Sequence, residues 1–230
     1  MGELVGIGIY TAAEASRLLR LPSRKITRWL CGHNANGRVY APLWHPQVDI
    51  GDDHLYLGFR DLMEIRVAAA FIGIGIPAQR VRAAIDLARE VHGIDYPLSA
   101  DRFRYAGRDI FLRVFEEDET GAERERLLNT FKRQYEFEVV LRPLLKNIEF
   151  AEDGTPRLWW PNGRSGQIVV DPQRAFGQPI DVGSSVPTGV LAAAAKAEGL
   201  GGASRIYEVP VAAVKRAVVF EADLAQRLAA

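Results

Sequence analysis

From Tyr10 to Leu30 the chain reads Y-T-A-A-E-A-S-R-L-L-R-L-P-S-R-K-I-T-R-W-L, and this stretch encodes two short helices. Thr11 and Glu14 stand at the T-x-x-E spacing of a capping box, in which each side chain accepts from the other residue's backbone N–H. A helix therefore starts at Thr11, with Ala12, Ala15, Leu18 and Leu19 at helical spacing. Arg20 to Ser23 supplies a tight turn before Ile26, Trp29 and Leu30 resume the period.

Working outward, Gly32 to Asp53 is rich in Gly, Asn, Pro and Asp, with apolar residues around Val39 to Leu43. That composition suits a strand-bearing loop or wing. Phe59 to Ile72 is helical through Leu62, Ile65, Ala69 and Ile72, and Pro77 to Val91 adds a helix through Val81, Ile85 and Ala88. A first domain, residues 1–92, closes there. Arg102 to Leu112 alternates apolar and polar residues about an A-G-R-D turn, which predicts a hairpin. Ala122 to Lys146 reads as helix with a kink at Pro143. Short strands around Ile148 to Phe150 and Leu158 to Trp160 flank an Asp153-Gly154 turn. Residues 93–165 thus form a bridging α+β segment of hairpin and helix.

The last segment, 166–230, opens with the β-branched run Ile168-Val169-Val170 and a turn-rich stretch in which Phe176 is the apolar anchor. An alanine-rich helix follows Pro187, then a glycine-rich break, then a helix after Pro210 through Val211, Val214, Ala217 and Val218. The fold class is mainly α (α+β): a winged helix-turn-helix at one end, the bridge, and a second helix-turn-helix-like unit at the other.

Composition bounds the function. A chain of 230 residues with 48% hydrophobic and 25% charged residues is an ordinary globular protein with room for two domains and a connection. A single cysteine, Cys31, makes no internal disulfide, and neither a signal peptide nor a membrane-length apolar run is read, so a cytoplasmic setting is expected. Twenty-nine basic residues balance twenty-nine acidic ones, so any affinity for nucleic acid must come from a local patch.

Such a patch is present. From Glu14 to Cys31 five basic residues face one acidic residue. Ser23, Arg24, Lys25, Thr27 and Arg28 fall on the outer arc of the second helix, and a helix of that width fits the major groove of B-DNA. Arg20 in the turn, with Arg38 and Tyr40 in the wing, completes the candidate DNA-binding set. A solvated charged face would carry the same residues; the agreement of cap, turn length, apolar spacing and basic arc favours a DNA reading head. Dimerisation is expected, because one short helix rarely supplies tight specific binding.

Two resemblances sharpen this reading. Y-T-A-A-E-A-S-R-L-L, S-R-K-I-T-R-W-L, Y-L-G-F-R-D-L-M-E-I-R and G-I-P-A-Q-R-V-R-A-A together resemble the N-terminal part of the MerR family, with Pro22 where that family usually places a serine or threonine cap. D-P-Q-R-A-F-G-Q-P-I-D-V-G-S-S-V-P-T-G-V-L, from Asp171 to Leu191, with A-V-V-F-E-A-D at the close, resembles domain of unknown function 433, found in VapB-type antitoxins. The combination resembles long VapB-type antitoxins encoded beside a PIN-like ribonuclease toxin. The resemblance implies a protein that binds and masks its toxin and represses its own operon. Arg157, Trp159, Trp160, Arg164 and Arg174 are candidate toxin contacts, since aromatics and arginine dominate interfaces, although strand packing and surface charge account for them equally. The alternative is a MerR-like regulator answering a small molecule, and a third reading is an interaction module without DNA.

Enzymatic signals are weak. Gly73 and Gly75 lack the third glycine and preceding strand of a phosphate cradle. Cys31, His33, His45 and His54 fit no zinc spacing, and no nucleophile, base and orienter set stands out. No metal, cofactor or catalytic activity is expected.

Overall fold

The computed structural model describes residues 6–52, 54–116 and 134–226. It is a mixed α and β protein with eight α-helices among the described residues. The N-terminal part runs β1 (Tyr10–Thr11), α1 (Ala12–Leu19), α2 (Ser23–Cys31), β2 (His33–Ala35), β3 (Arg38–Tyr40), β4 (Tyr56–Leu57), α3 (Phe59–Gly73) and α4 (Ala78–His92). The middle holds α5 (Phe103–Glu116), α6 (Gln134–Lys146), β5 (Ile148–Phe150) and β6 (Pro156–Trp159). The C-terminal part holds β7 (Ile168–Val170), β8 (Pro179–Asp181), α7 (Thr188–Ile206) and α8 (Val211–Gln226). All three sheets are antiparallel: β1 with β4, β2 with β3, and a four-stranded sheet in the order β5-β6-β7-β8. Among the described residues no helix is long and apolar enough to cross a membrane.

The capping box forms as the spacing predicts. The Glu14 N–H donates to Thr11 Oγ1 at 3.2 Å and the Thr11 N–H donates to Glu14 Oε2 at 2.8 Å. Arg20 ends α1 in the left-handed conformation, and α2 starts at Ser23 with Pro22 in the cap position and no side-chain cap. The Pro22 carbonyl instead accepts from the N–H groups of Lys25 and Ile26. Pro77 and Pro187 precede α4 and α7 in the same way, each with φ already near the helical value.

Two expectations are corrected. Arg102–Leu112 is not a hairpin but most of α5, whose buried residues Phe103, Gly107, Ile110, Phe111, Val114 and Phe115 follow the helical period. Gly107 marks a close approach rather than a turn, because a Cβ there would lie 2.7 Å from the rings of Phe103 and Phe137. Phe176 is not an apolar anchor: it is 75% exposed. Ala175 and Phe176 both take positive φ, and the segment is held by backbone and phenol bonds, Ile9 N–H to Phe176 O at 3.1 Å and Tyr10 OH to Gly177 O at 2.7 Å. Elsewhere, α6 runs through Pro143, and residues 122–133 of the helix expected there lie outside the described residues. The glycine-rich break falls at Gly199, where φ of 72° divides α7 into two helices.

The core centres on α3. Phe71 packs against Phe111, Phe137 and Phe103 with ring centroids 4.8, 5.5 and 6.2 Å apart. Each such ring contributes roughly 1.5–3 kcal/mol by leaving water. One apolar cluster draws side chains from Tyr10 through Leu224, and a smaller one joins Leu191, Ala203, Val209, Ala213, Val214 and Ala217 across α7 and α8.

Two buried carboxylates on α3 tie loops to that core. Asp61 accepts from the N–H groups of Gly58 and Gln47 and from Trp44 Nε1, each at 2.8 Å. Glu64 accepts from the N–H groups of Leu98 and Ser99 at 2.9 and 2.8 Å. Burial, opposed by these bonds, pushes the Glu64 carboxyl up from its ordinary 4.5 to about 7. The folded state therefore binds more protons than the unfolded chain between those values. The contribution of Glu64 to stability is fully present below about 4.5 and is lost as pH rises through about 7. Glu64→Gln points an amide N–H₂ at a backbone N–H and should cost about 1–3 kcal/mol in urea unfolding at pH 7. The variant should also lose the part of the decline in stability between pH 5 and 8 that Glu64 causes; unchanged unfolding curves would remove Glu64 from this role.

Candidate nucleic-acid interface

Helix α2 buries Ile26, Trp29 and Leu30 and exposes Ser23, Arg24, Thr27 and Arg28, as its apolar spacing dictates. Lys25 is half-buried, with its Nζ 4.9 Å from the centroid of the Trp29 ring, a cation–π contact that restrains its stem. Thr27 Oγ1 donates back to Ser23 O at 3.1 Å, leaving its lone pairs outward. Arg24 forms no ion pair among the described residues, so its guanidinium is presented to a ligand.

The hairpin of β2 and β3 stands against this helix through a three-residue relay. Arg28 Nη2 lies 2.7 Å from His33 Nε2, which accepts, and the His33 ring stacks on Tyr40 at 4.7 Å between centroids and 8° between planes. His33 and Tyr40 are cross-strand partners, and the connecting Asn36-Gly37 pair takes φ of 50° and 73°, both positive as a type I′ turn requires. The N-G pair was the readable signal for this hairpin, and His33, considered above only as a metal ligand, is its structural pivot. Arg38 and Val39 are exposed on the outer strand, Val39 at 83%, while Tyr40 is half-buried beneath His33. Between α2, the hairpin and the start of α4 lies a groove of about 620 Å³. Arg24, Lys25 and Arg28 line it, and no acidic residue does among the described residues.

Arg20 departs from this group. Its guanidinium pairs with Asp223 on α8 at 2.7 Å, and one turn earlier Arg17 pairs with Glu221 at 3.0 Å. The arc that carries no ion pair among the described residues is therefore Ser23, Arg24, Lys25, Thr27 and Arg28 with Arg38.

The second candidate group gathers on Glu149 of β5. Its carboxylate accepts from Arg157 at 2.9 Å, Arg164 at 3.0 Å and Trp160 Nε1 at 2.8 Å. Arg164 also lies 6.0 Å from the Trp160 ring centroid. Trp159, by contrast, is buried, with the Arg66 guanidinium over its ring at 4.6 Å. Arg174 is elsewhere: it closes the Asp171 turn at 2.7 Å and donates to Ser185 Oγ at 3.1 Å.

These features define a mixed α and β protein with a cationic helix-and-hairpin surface. No protein-family model matches the chain. It is 28% identical over 194 residues to a Mycobacterium tuberculosis protein named "Putative antitoxin VapB45", covering 78% of this chain and 79% of that protein. In fold it is similar to the X-ray crystal structure of Rv2018 from the same organism, with a TM-score of 0.69 and 23% identity over 93% of this chain and 99% of that one.

The hairpin's placement rests on Gly32. Its φ of 70° with ψ of −177° is open essentially to glycine alone, and a Cβ there would meet Tyr40 O at 2.5 Å. Gly32→Ala should destabilise the protein by about 1–3 kcal/mol. Amide exchange should show the loss first in β2 and β3; protection there equal to wild type would show that Gly32 does not set the hairpin.

Proposed function

We propose that this chain is the antitoxin of a type II toxin–antitoxin pair, that it neutralises a PIN-like ribonuclease toxin, and that it represses its own operon through α2 and the β2–β3 hairpin. The carrying observation is the cationic arc of Arg24, Lys25 and Arg28 beside Arg38, on a groove with no acidic lining residue among the described residues. The 28% likeness to a protein named as an antitoxin supports the same reading. Its role is regulatory, not catalytic.

In this reading α1 and α2 are the helix-turn-helix of a MerR-like domain in residues 1–92, and the β2–β3 hairpin is its wing. Arg24 and Arg28 reach base edges in the major groove, where arginine pairs with guanine through two hydrogen bonds. Lys25, Ser23 and Thr27 hold phosphates, and Arg38 follows the backbone from the hairpin. Two copies of the chain place two such helices about 34 Å apart, one turn of DNA. The C-terminal unit, residues 166–230, is of the kind named domain of unknown function 433. Toxin contact falls on the Glu149 cluster, where Trp160, Arg157 and Arg164 are already ordered and pay little entropy on binding, with Arg174 beyond it.

Gel shifts on the DNA upstream of the chain's own gene test the DNA role. Affinity should fall with salt at a log-log slope of about 0.9 per phosphate contacted. Arg24→Ala and Arg28→Ala should each lose about 1–3 kcal/mol of specific binding. Binding of both variants equal to wild type refutes the assignment. For the toxin role, the product of the adjacent reading frame should co-purify with the chain, and Trp160→Ala should weaken that association.

A further inference from the structure

The α1–α2 turn, α3, α6, β6 and α8 line a half-open cavity of about 240 Å³, apart from the α2 groove and the Glu149 cluster. Leu18, Leu21, Leu144, Phe220 and Leu224 give it apolar walls. Two cations line it, Arg66 from α3 and Arg20 from the α1–α2 turn.

Arg66 is in an unusual position. Its guanidinium lies on the Trp159 ring at 4.6 Å and one of its nitrogens lies 3.7 Å from Met63 Sδ, yet no carboxylate among the described residues pairs with it. Arg20, which also lines the cavity, is committed to Asp223. Burial pulls the Arg66 pKa down to about 10, so the group keeps its charge at neutral pH. Desolvating a cation without a counter-ion is costly, and the cation–π contact offsets only part of that cost. Trp159 Nε1 is also buried without an acceptor, and Asn162 contributes an amide to the lining. Among the described residues the site holds a guanidinium and an indole N–H with no anionic partner for either.

We infer that this cavity binds a small monocarboxylate with an apolar body, its carboxylate bridging to the Arg66 guanidinium and its aromatic or branched aliphatic portion packing among Leu18, Leu144, Phe220 and Leu224. A single guanidinium matches a monoanion through paired hydrogen bonds, whereas a phosphate dianion would bring excess charge into apolar walls. The volume lies below that of drug-sized pockets, so the ligand is correspondingly small. Because Leu18 and Leu21 lead into α2 while Phe220 and Leu224 belong to α8, an occupant joins the candidate reading head to the C-terminal helix. The inference does not depend on the antitoxin reading.

Isothermal titration of the full chain with benzoate tests it, with sulfate and benzyl alcohol as probes of charge and apolar body separately. Benzoate should bind saturably at millimolar concentration and raise the thermal midpoint, and both other probes should bind more weakly. Arg66→Met, which keeps bulk and removes the charge, should lower benzoate affinity by about tenfold or more, the effect of one charged hydrogen-bonding pair. Leu144→Trp, which fills the cavity while keeping Arg66, should abolish binding, and it decides the matter if Arg66→Met does not fold. No saturable benzoate binding, or equal affinity in wild type and either folded variant, or sulfate binding as tightly as benzoate, overturns the inference.

Discussion

The fold depends on one helix that keeps two carboxylates out of water. Asp61 and Glu64 sit three residues apart on α3 and are both almost wholly inaccessible. Burying an isolated carboxylate is unfavourable unless donors replace its hydration. Here four backbone N–H groups and an indole N–H replace it, from Gly58, Gln47, Leu98, Ser99 and Trp44. None of these donors belongs to a regular helix or strand. The carboxylates thus fix irregular segments that apolar packing alone would leave free to slide, and they do so on the helix that also carries Phe71 of the aromatic cluster.

From that centre the two ends of the chain meet. Tyr10, paired with Leu57 in the sheet of β1 and β4, passes its hydroxyl to Gly177 O, and a Cβ on Gly177 would collide with that hydroxyl. Glycine at 177 is therefore required both by its φ of 81° and by the approach of Tyr10. The turn-rich stretch beginning at Asp171 has a purpose visible only in three dimensions: it folds back on the N-terminal strand. Asp181, at its end, accepts from Arg216 of α8 and from Ser184, so the same stretch also positions the last helix.

What could be read in the sequence was what short-range chemistry decides. The Thr11–Glu14 box, the apolar face of α2 and the outward arc from Ser23 to Arg28 are local, and each was legible from spacing. The 102–112 segment was misread because alternation over a few residues mimics a strand. The full run to Phe115 shows the helical period, and Gly107 looked like turn chemistry when it is room for two phenyl rings. Arg20 and Trp159 illustrate a different limit. Each has residue chemistry suited to an interface, yet Asp223 and Arg66, distant in sequence, engage them, and no local pattern encodes such pairings.

The contact between α1 and α8 shows which forces join the ends. Its visible features are two ion pairs, Arg17 with Glu221 and Arg20 with Asp223, on residues about a third exposed or more on the arginine side. Such pairs contribute about 0–1 kcal/mol each once solvent screening is allowed for. Phe220 and Leu224, on the same helix, are almost fully buried and contribute roughly 1.5–3 kcal/mol each. Apolar burial therefore holds α8 in place, and the ion pairs select its register, since a shift by one residue would part both carboxylates from their arginines. The side of α1 that bears Arg17 and Arg20 is thereby taken up by the C-terminal helix, which leaves the cationic face of α2 as the surface the N-terminal helices offer to a partner.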